Sequence, residues 1–236
     1  MKLPNNILAI EYLKAIFKGG YDLEPIFIRR NGAMHGATTA KGSIASSSLI
    51  RKLIHEDKKA EGINSFCPED TYLAVEQAIS SESILSLKNA EKVILYSLRN
   101  ADFDSDRLSE CGGGLGNRIL NNASIASSLE ELYEITATKR YTNSRIRRAT
   151  LSLLFKASKS DVSSLPEFTS ILAAKKEFLT RLKASDLPLL SAPSDIRSLR
   201  ESELVRLYID AERFVSLCYN APTEEYAFFK KHPVIL

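Results

Sequence analysis

Two stretches of this 236-residue sequence gather residues suited to holding phosphate. In SIASSSLIRKLI, residues 43–54, three consecutive serines open an apolar-periodic segment and Arg51 follows one turn later. The first N–H groups of a helix lack internal partners and carry the positive end of its dipole, so they favour anions. Ser46, Ser47 and Ser48 would add hydroxyl donors there, and Arg51 a guanidinium that can bond two oxygens at once. The same residues also read as a serine N-cap followed by a solvated arginine. This stretch alone leaves both readings open.

The second stretch is KRYTNSRIRR, residues 139–148. No acid interrupts Lys139, Arg140, Arg145, Arg147 and Arg148, and Tyr141 lies among them as a ring available for stacking. Arg145 and Arg148 share one helix face, whereas Arg147 points elsewhere. Such a patch suits a nucleic-acid phosphate backbone, and an ordinary solvated face is the plainer alternative.

Weaker signals surround these two. EPIFIRR, residues 24–30, reads as a short strand ending in Arg29 and Arg30. Ligands of open α/β sheets bind beyond the carboxyl ends of strands, so a cation there could meet a nucleotide or simply be solvated. Asn5, in PNN, could read a base or ribose, or cap its helix. CGGGLGNR, residues 111–118, has phosphate-loop glycines but no following Lys-Ser/Thr and no preceding strand, so it reads as a flexible lead-in to a helix at Leu115. No spacing proposes a nucleophile–His–acid triad, and the catalytic residues stay unassigned. Cys67, Cys111 and Cys218, like His35, His55 and His232, are scattered, so no metal held by side chains is expected.

The elements that must position these residues are mostly helices. PNNILAIEYLKAIF enters a helical period through Pro4, and GGYD stops it. From about residue 66 onward, PEDTYLAVEQAI, NAEKVILYSLRNA, LGNRILNNA, SLEELYEITATK and NSRIRRATLSLLFKA each repeat apolar residues at i, i+3, i+4. Their starts are marked by Pro68, Asn89, Ser128 and Thr142 or Asn143. AAKKEFLTRLKAS and RESELVRLYIDAERFVSLCYN predict two more helices, joined by a loop in SDLPLLSAPSD. With 44% hydrophobic and 26% charged residues, the chain has the composition of a soluble globular protein. No apolar run approaches the roughly 20 residues of a spanning helix, so a cytoplasmic protein with no membrane partner is expected. The net charge of +3 is too small to name a partner.

Taken together, PNNILAIEYLKAI, IRRNGAMHG, SIASSSLIRKLI, LGNRI, TKRYTNSRIRR and DAERFVSLCYN…HPVIL resemble, in order and spacing, the bacterial tRNA(Met) cytidine acetate ligases. The resemblance runs from residue 3 to the C-terminus. It implies a nucleotidyltransferase-like protein that uses ATP, accompanied by Mg²⁺, and acetate to form acetyl-adenylate. The acetyl group then passes to N4 of the wobble cytidine of elongator tRNA(Met). By position, the resemblance places Asn5, Arg30, Asn31, Ser47, Ser48 and Arg51 on ATP. It places Lys139, Arg140, Tyr141, Arg145, Arg147 and Arg148 on tRNA.

This chain departs from the family pattern in three places. The HxGH segment that follows the family's first strand is absent from these 236 residues. Gly116 stands where relatives carry an acid, and Met34, His35 and Gly36 replace an aromatic–His–acid trio. The expectation is therefore a mainly α chain. Residues 1–60 would be the C-terminal part of a nucleotidyltransferase-like α/β domain, a small remnant whose front end is missing, and 61–236 a helical tRNA-binding domain. Alone it would be inactive. A non-catalytic RNA-binding protein derived from that family, and a nucleotidyltransferase acting on a small metabolite, are the alternatives.

Overall fold

The computed structural model describes residues 4–28, 39–40, 42–57, 60–163, 167–178, 181, 186–190, 194–195, 199, 202–224 and 234–235. They are mainly helical and fall into two compact units, Met1–Ser81 and Glu82–Leu236. Among the described residues no helix is long and apolar enough to cross a membrane.

The first unit contains α1 (Pro4–Gly19), α2 (Ser47–Lys52) and α3 (Glu69–Ser80). A π turn (Leu53–Asp57) and a 3₁₀ segment (Ala60–Phe66) lie between the last two. The strand expected over residues 24–30 does not form across its described part, Glu24–Ile28. Ile26, Phe27 and Ile28 are 85%, 68% and 91% exposed. A strand exists only where a neighbour takes up its backbone donors and acceptors, and no described strand lies beside this one. Among the described residues of this unit, Ile63 is the one fully buried large apolar side chain.

The second unit holds the core. Its helices are α4 (Glu91–Arg99), α5 (Leu115–Ala123), α6 (Leu129–Thr136), α7 (Asn143–Phe155), the short α8 (Lys159–Ser163) and α9 (Glu203–Ser216). Ile94 and Leu98, Leu115 and Ile119, and Ile146, Ala149 and Leu153 recur at helical spacing and face one another in a single apolar cluster with Leu132 and Phe214. Full burial of each large side chain contributes about 2 kcal/mol. Helix α7 packs against α4, α5, α6 and α9, and Phe155 meets Phe214 edge to face at 5.6 Å.

Arginines close the helix ends inside this cluster. Arg99 donates to the carbonyls of Ala123 and Ala126, each at 2.8 Å, and so satisfies the end of α5. Arg118 does the same for α6 through Thr136 and Ile135. At the start of α6, Ser128 accepts from the Glu131 N–H, and Glu131 accepts from Ser127 in return. Those bonds from the Ser127 hydroxyl and N–H hold the Glu131 carboxyl below its ordinary range. Asn89, expected to start α4, instead ties it to the chain after α9, donating to Cys218 O at 2.9 Å and Asn220 Oδ1 at 3.0 Å.

Two parallel pairs of very short strands complete the unit: β1 (Thr169–Ser170) with β3 (Leu189–Leu190), and β2 (Ala173–Ala174) with β4 (Val234–Ile235). This corrects two expectations. Ala173–Ala174, read as the start of a helix, is β2, and Leu189–Leu190, read as loop, is β3. Each strand is only two residues long and is made by a partner distant in sequence, so it carries no local periodicity. Leu190 of β3 packs with Val205 and Ile209 of α9 in a second, smaller core.

Candidate functional sites

The serine-rich helix start resolves into separate roles. Ser46 is the N-cap of α2, its hydroxyl accepting from Leu49 N–H at 3.0 Å, and it is buried. One serine therefore supplies the cap. Ser47 and Ser48 form the exposed first turn, and Arg51 stands exposed one turn on. Lys52, beside it, pairs with Glu56 at 3.8 Å. Two hydroxyls on a solvent-facing first turn and a guanidinium one turn on are donors of the kind that phosphate oxygens accept. The side chain of Asn5, together with Arg30, Asn31 and Met34–Gly36, lies outside the described residues, so the structure gathers α2's part of the expected nucleotide set and leaves the rest unplaced.

The basic stretch is built into the fold more deeply than its sequence suggests. Residues 139–142 lead into α7, with Thr142 as N-cap. Tyr141 is only 8% exposed. Its hydroxyl donates to Gly113 O, and Arg140 and Arg145 sit over its ring at 5.4 and 5.5 Å. The sequence offers this ring for stacking on a base; the structure buries it, and it anchors a loop. Arg145 anchors the same loop, donating to Gly112 O at 2.8 Å and Glu110 O at 3.2 Å.

That loop is CGGGLGNR. Gly113 and Gly114 take φ of 75° and 82°, the left-handed region that favours glycine, and turn the chain into α5 at Leu115. The expected lead-in to a helix is what forms. The Arg140 guanidinium lies against Gly113, where a Cβ would come within 2.9 Å of Nη2. Lys159 lies near Gly112 while donating to Asp106 O at 2.8 Å. Arg148, on the face it shares with Arg145, pairs with Glu110 at 2.9 Å, and Arg147 faces elsewhere, over the Tyr133 ring at 5.4 Å.

Sequence reasoning missed three contributors here. Lys159 and the glycine loop belong with the basic stretch, and Glu110 supplies a counter-charge to cations that have none nearby in sequence. Each is brought in over tens of residues, so no local signal marks it. Burial pushes the Cys111 thiol, at the start of the loop, up to about 11. It is a packed apolar group rather than a nucleophile.

A separate groove of about 470 Å³ lies between α4, α7 and α9, floored by Leu154, Phe155 and Phe214. Its Arg206 and Arg213 pair with Glu203 and Asp210 of the same helix.

A family model described as HIGH Nucleotidyl Transferase matches residues 1–228, and the chain belongs to that family. Among curated relatives, it is 30% identical to the tRNA(Met) cytidine acetate ligase of Caldanaerobacter subterraneus over all of this chain and 60% of that one. It is 32% identical to the enzyme of the same name from a Thermoanaerobacter species over 84% of this chain and 50% of that one. The chain thus spans between 50% and 60% of the length of these relatives. Its fold matches the apo crystal structure of Thermotoga maritima TmcAL with a TM-score of 0.83 at 25% identity, covering 100% of this chain and 61% of that one. The TmcAL structure bound with alpha-thio ATP matches with a TM-score of 0.79 at 24% identity, over 99% of this chain and 59% of that one.

Proposed function

We propose that this chain is the nucleotide-contacting and tRNA-docking portion of an ATP-dependent tRNA(Met) cytidine acetate ligase. In this reading residues 1–60 belong to the nucleotidyltransferase-like domain and 61–236 are the helical, tRNA-binding domain that follows it. The observation that carries it is the grouping of Arg140, Arg148 and Lys159 around one glycine loop, in a chain whose relatives bear that name across its length. Cations gathered from distant parts of a chain onto one exposed surface are what a phosphodiester backbone requires. Lys139 and Arg147, both exposed, add phosphate contacts outside that group, Arg147 from a different face of α7, while Tyr141 and Arg145 hold the loop.

On the nucleotide side, Ser47, Ser48 and Arg51 bind phosphate oxygens of ATP, with Asn5, Arg30 and Asn31 as further contacts. ATP and acetate are substrates, Mg²⁺ arrives with ATP, and elongator tRNA(Met) is the acceptor, in the cytoplasm. The chain's residues act by positioning and by neutralising phosphate charge rather than as an acid–base pair. Without an HxGH sequence in these 236 residues, this portion does not complete adenylation by itself. If the ATP site has been discarded altogether, the chain is instead a non-catalytic RNA-binding protein.

Calorimetric titration with ATP and Mg²⁺ separates the two. The proposal expects binding by the wild-type chain that falls roughly tenfold or more in Arg51→Ala, the loss of a charge-assisted contact. Absence of ATP binding, with RNA binding intact, would favour the non-catalytic reading. Acetylation of tRNA(Met) by this chain alone, given ATP and acetate, would refute the inactivity.

A further inference from the structure

Glu110 pairs with Arg145 and Arg148 of the basic stretch and has an unusual backbone. Its φ is 63°, left-handed for a residue that is not glycine. Two hydrogen bonds and an ion pair surround it: its carbonyl accepts from Arg145 Nε at 3.2 Å, its Oε1 accepts from Arg148 Nε at 2.9 Å, and its Oε2 lies 3.7 Å from Arg145 Nε. The two arginines are not equivalent. Arg145 is also committed to Gly112 O, and its side chain is two-thirds buried. Arg148 is 57% exposed, and the Glu110 carboxylate is its one ion pair among the described residues.

From this asymmetry we infer that Glu110 is a built-in competitor for phosphate: its carboxylate occupies Arg148 until an RNA phosphodiester displaces it, which makes the surface selective. The inference rests on the RNA-docking reading above. A carboxylate and a phosphate offer the same pair of oxygens to a guanidinium, so they compete for it directly. Displacement leaves Glu110 as an unpaired negative charge beside the incoming anion. An RNA that touches Arg148 alone gains little from the exchange. One whose neighbouring phosphates also reach Arg140 at Gly113 and Lys159 at Gly112 recovers the loss. Glu110 thus lowers affinity for RNA in general and lowers it least for the RNA whose shape fits. Arg145 stays bound to the loop in both states and is a positioning residue.

The backbone supplies a clean test. Glu110→Gly removes the carboxylate and suits the left-handed φ, so folding is retained; Glu110→Gln removes the charge alone. Each variant of the full chain is titrated by fluorescence anisotropy against elongator tRNA(Met) and against an unrelated hairpin RNA, over a range of KCl, with thermal melts alongside. Both variants should bind the unrelated RNA at least about fivefold more tightly. The slope of log K against log salt should steepen by about 0.7–0.9, the release of one more counterion. The preference for elongator tRNA should shrink. Arg148→Ala should weaken binding and abolish the effect, so that the double variant with Glu110→Gly behaves as Arg148→Ala alone. Should the Glu110 variants fold normally yet bind unrelated RNA no better than wild type, while Arg148→Ala still weakens binding, the competitor role is overturned and RNA docking stands. Should Arg147→Ala and Arg148→Ala both leave RNA binding unchanged, the docking reading fails and takes the inference with it.

Discussion

Arg145 and Arg147 lie two residues apart on α7 and have the same charge, yet the fold gives them opposite work. Arg145 holds two loop carbonyls, and Arg147 rests exposed over the Tyr133 ring. Arg145→Ala leaves partly buried carbonyls unmet and should lower stability by about 2 kcal/mol in denaturant melts. Arg147→Ala should melt as wild type and weaken RNA binding through the loss of one phosphate contact. Equal melts for the two would contradict this division. At this scale the sequence was partly legible. The spacing of Arg145, Arg147 and Arg148 assigned their helix faces correctly, because α-helical geometry is local. The burial of Tyr141 and the pairing with Glu110 were not legible, because both partners come from the loop at residues 110–113.

Between elements, the glycine loop and α5 meet the 3₁₀ turn Ser105–Arg107 with no space to spare. A Cβ at Gly116 would collide with Ser105 and come within 3.1 Å of the Cys111 Cβ. Ser105 in turn donates to Asn117 Oδ1 at 2.8 Å. The glycine that departs from the family pattern is therefore matched to its neighbour. Gly116→Ala should cost about 1–3 kcal/mol of stability by overpacking. Ser105→Gly in the same chain should return part of it, despite the lost hydrogen bond. Calorimetric melts of the single and double variants check this, and additive losses would argue against the matching. Helices were the legible elements, since α5, α6, α7 and α9 carry their apolar periods within their own residues, and Ser128 and Ser202 cap α6 and α9. Strands were not. The expected strand at residues 24–30 has the right residue types without a described partner, and β1–β4 have partners without the pattern.

For the whole molecule, apolar burial is uneven. The described residues of the second unit bury a large and a small apolar cluster, whereas Ile7, Leu8, Tyr12, Phe17 and Ile26–Ile28 of the first unit stand exposed. Amides of α5, α6 and α7 should therefore exchange with solvent slowly, and those of α1 orders of magnitude faster, in hydrogen–deuterium exchange. Comparable protection in both units would contradict the uneven burial. The proposal needs that ordered second unit, because a phosphate-binding surface assembled from residues 106 to 159 exists only while α5, α7 and the loop stay packed. The most direct measurement is a salt-varied titration of this chain with elongator tRNA(Met), with initiator tRNA as control, in the wild type and in a variant with Arg140, Arg147 and Arg148 changed to Ala. The account predicts tighter binding to the elongator tRNA, lost together with most of the salt dependence in the variant. Equal binding to both tRNAs, or binding that survives the triple substitution, would contradict it.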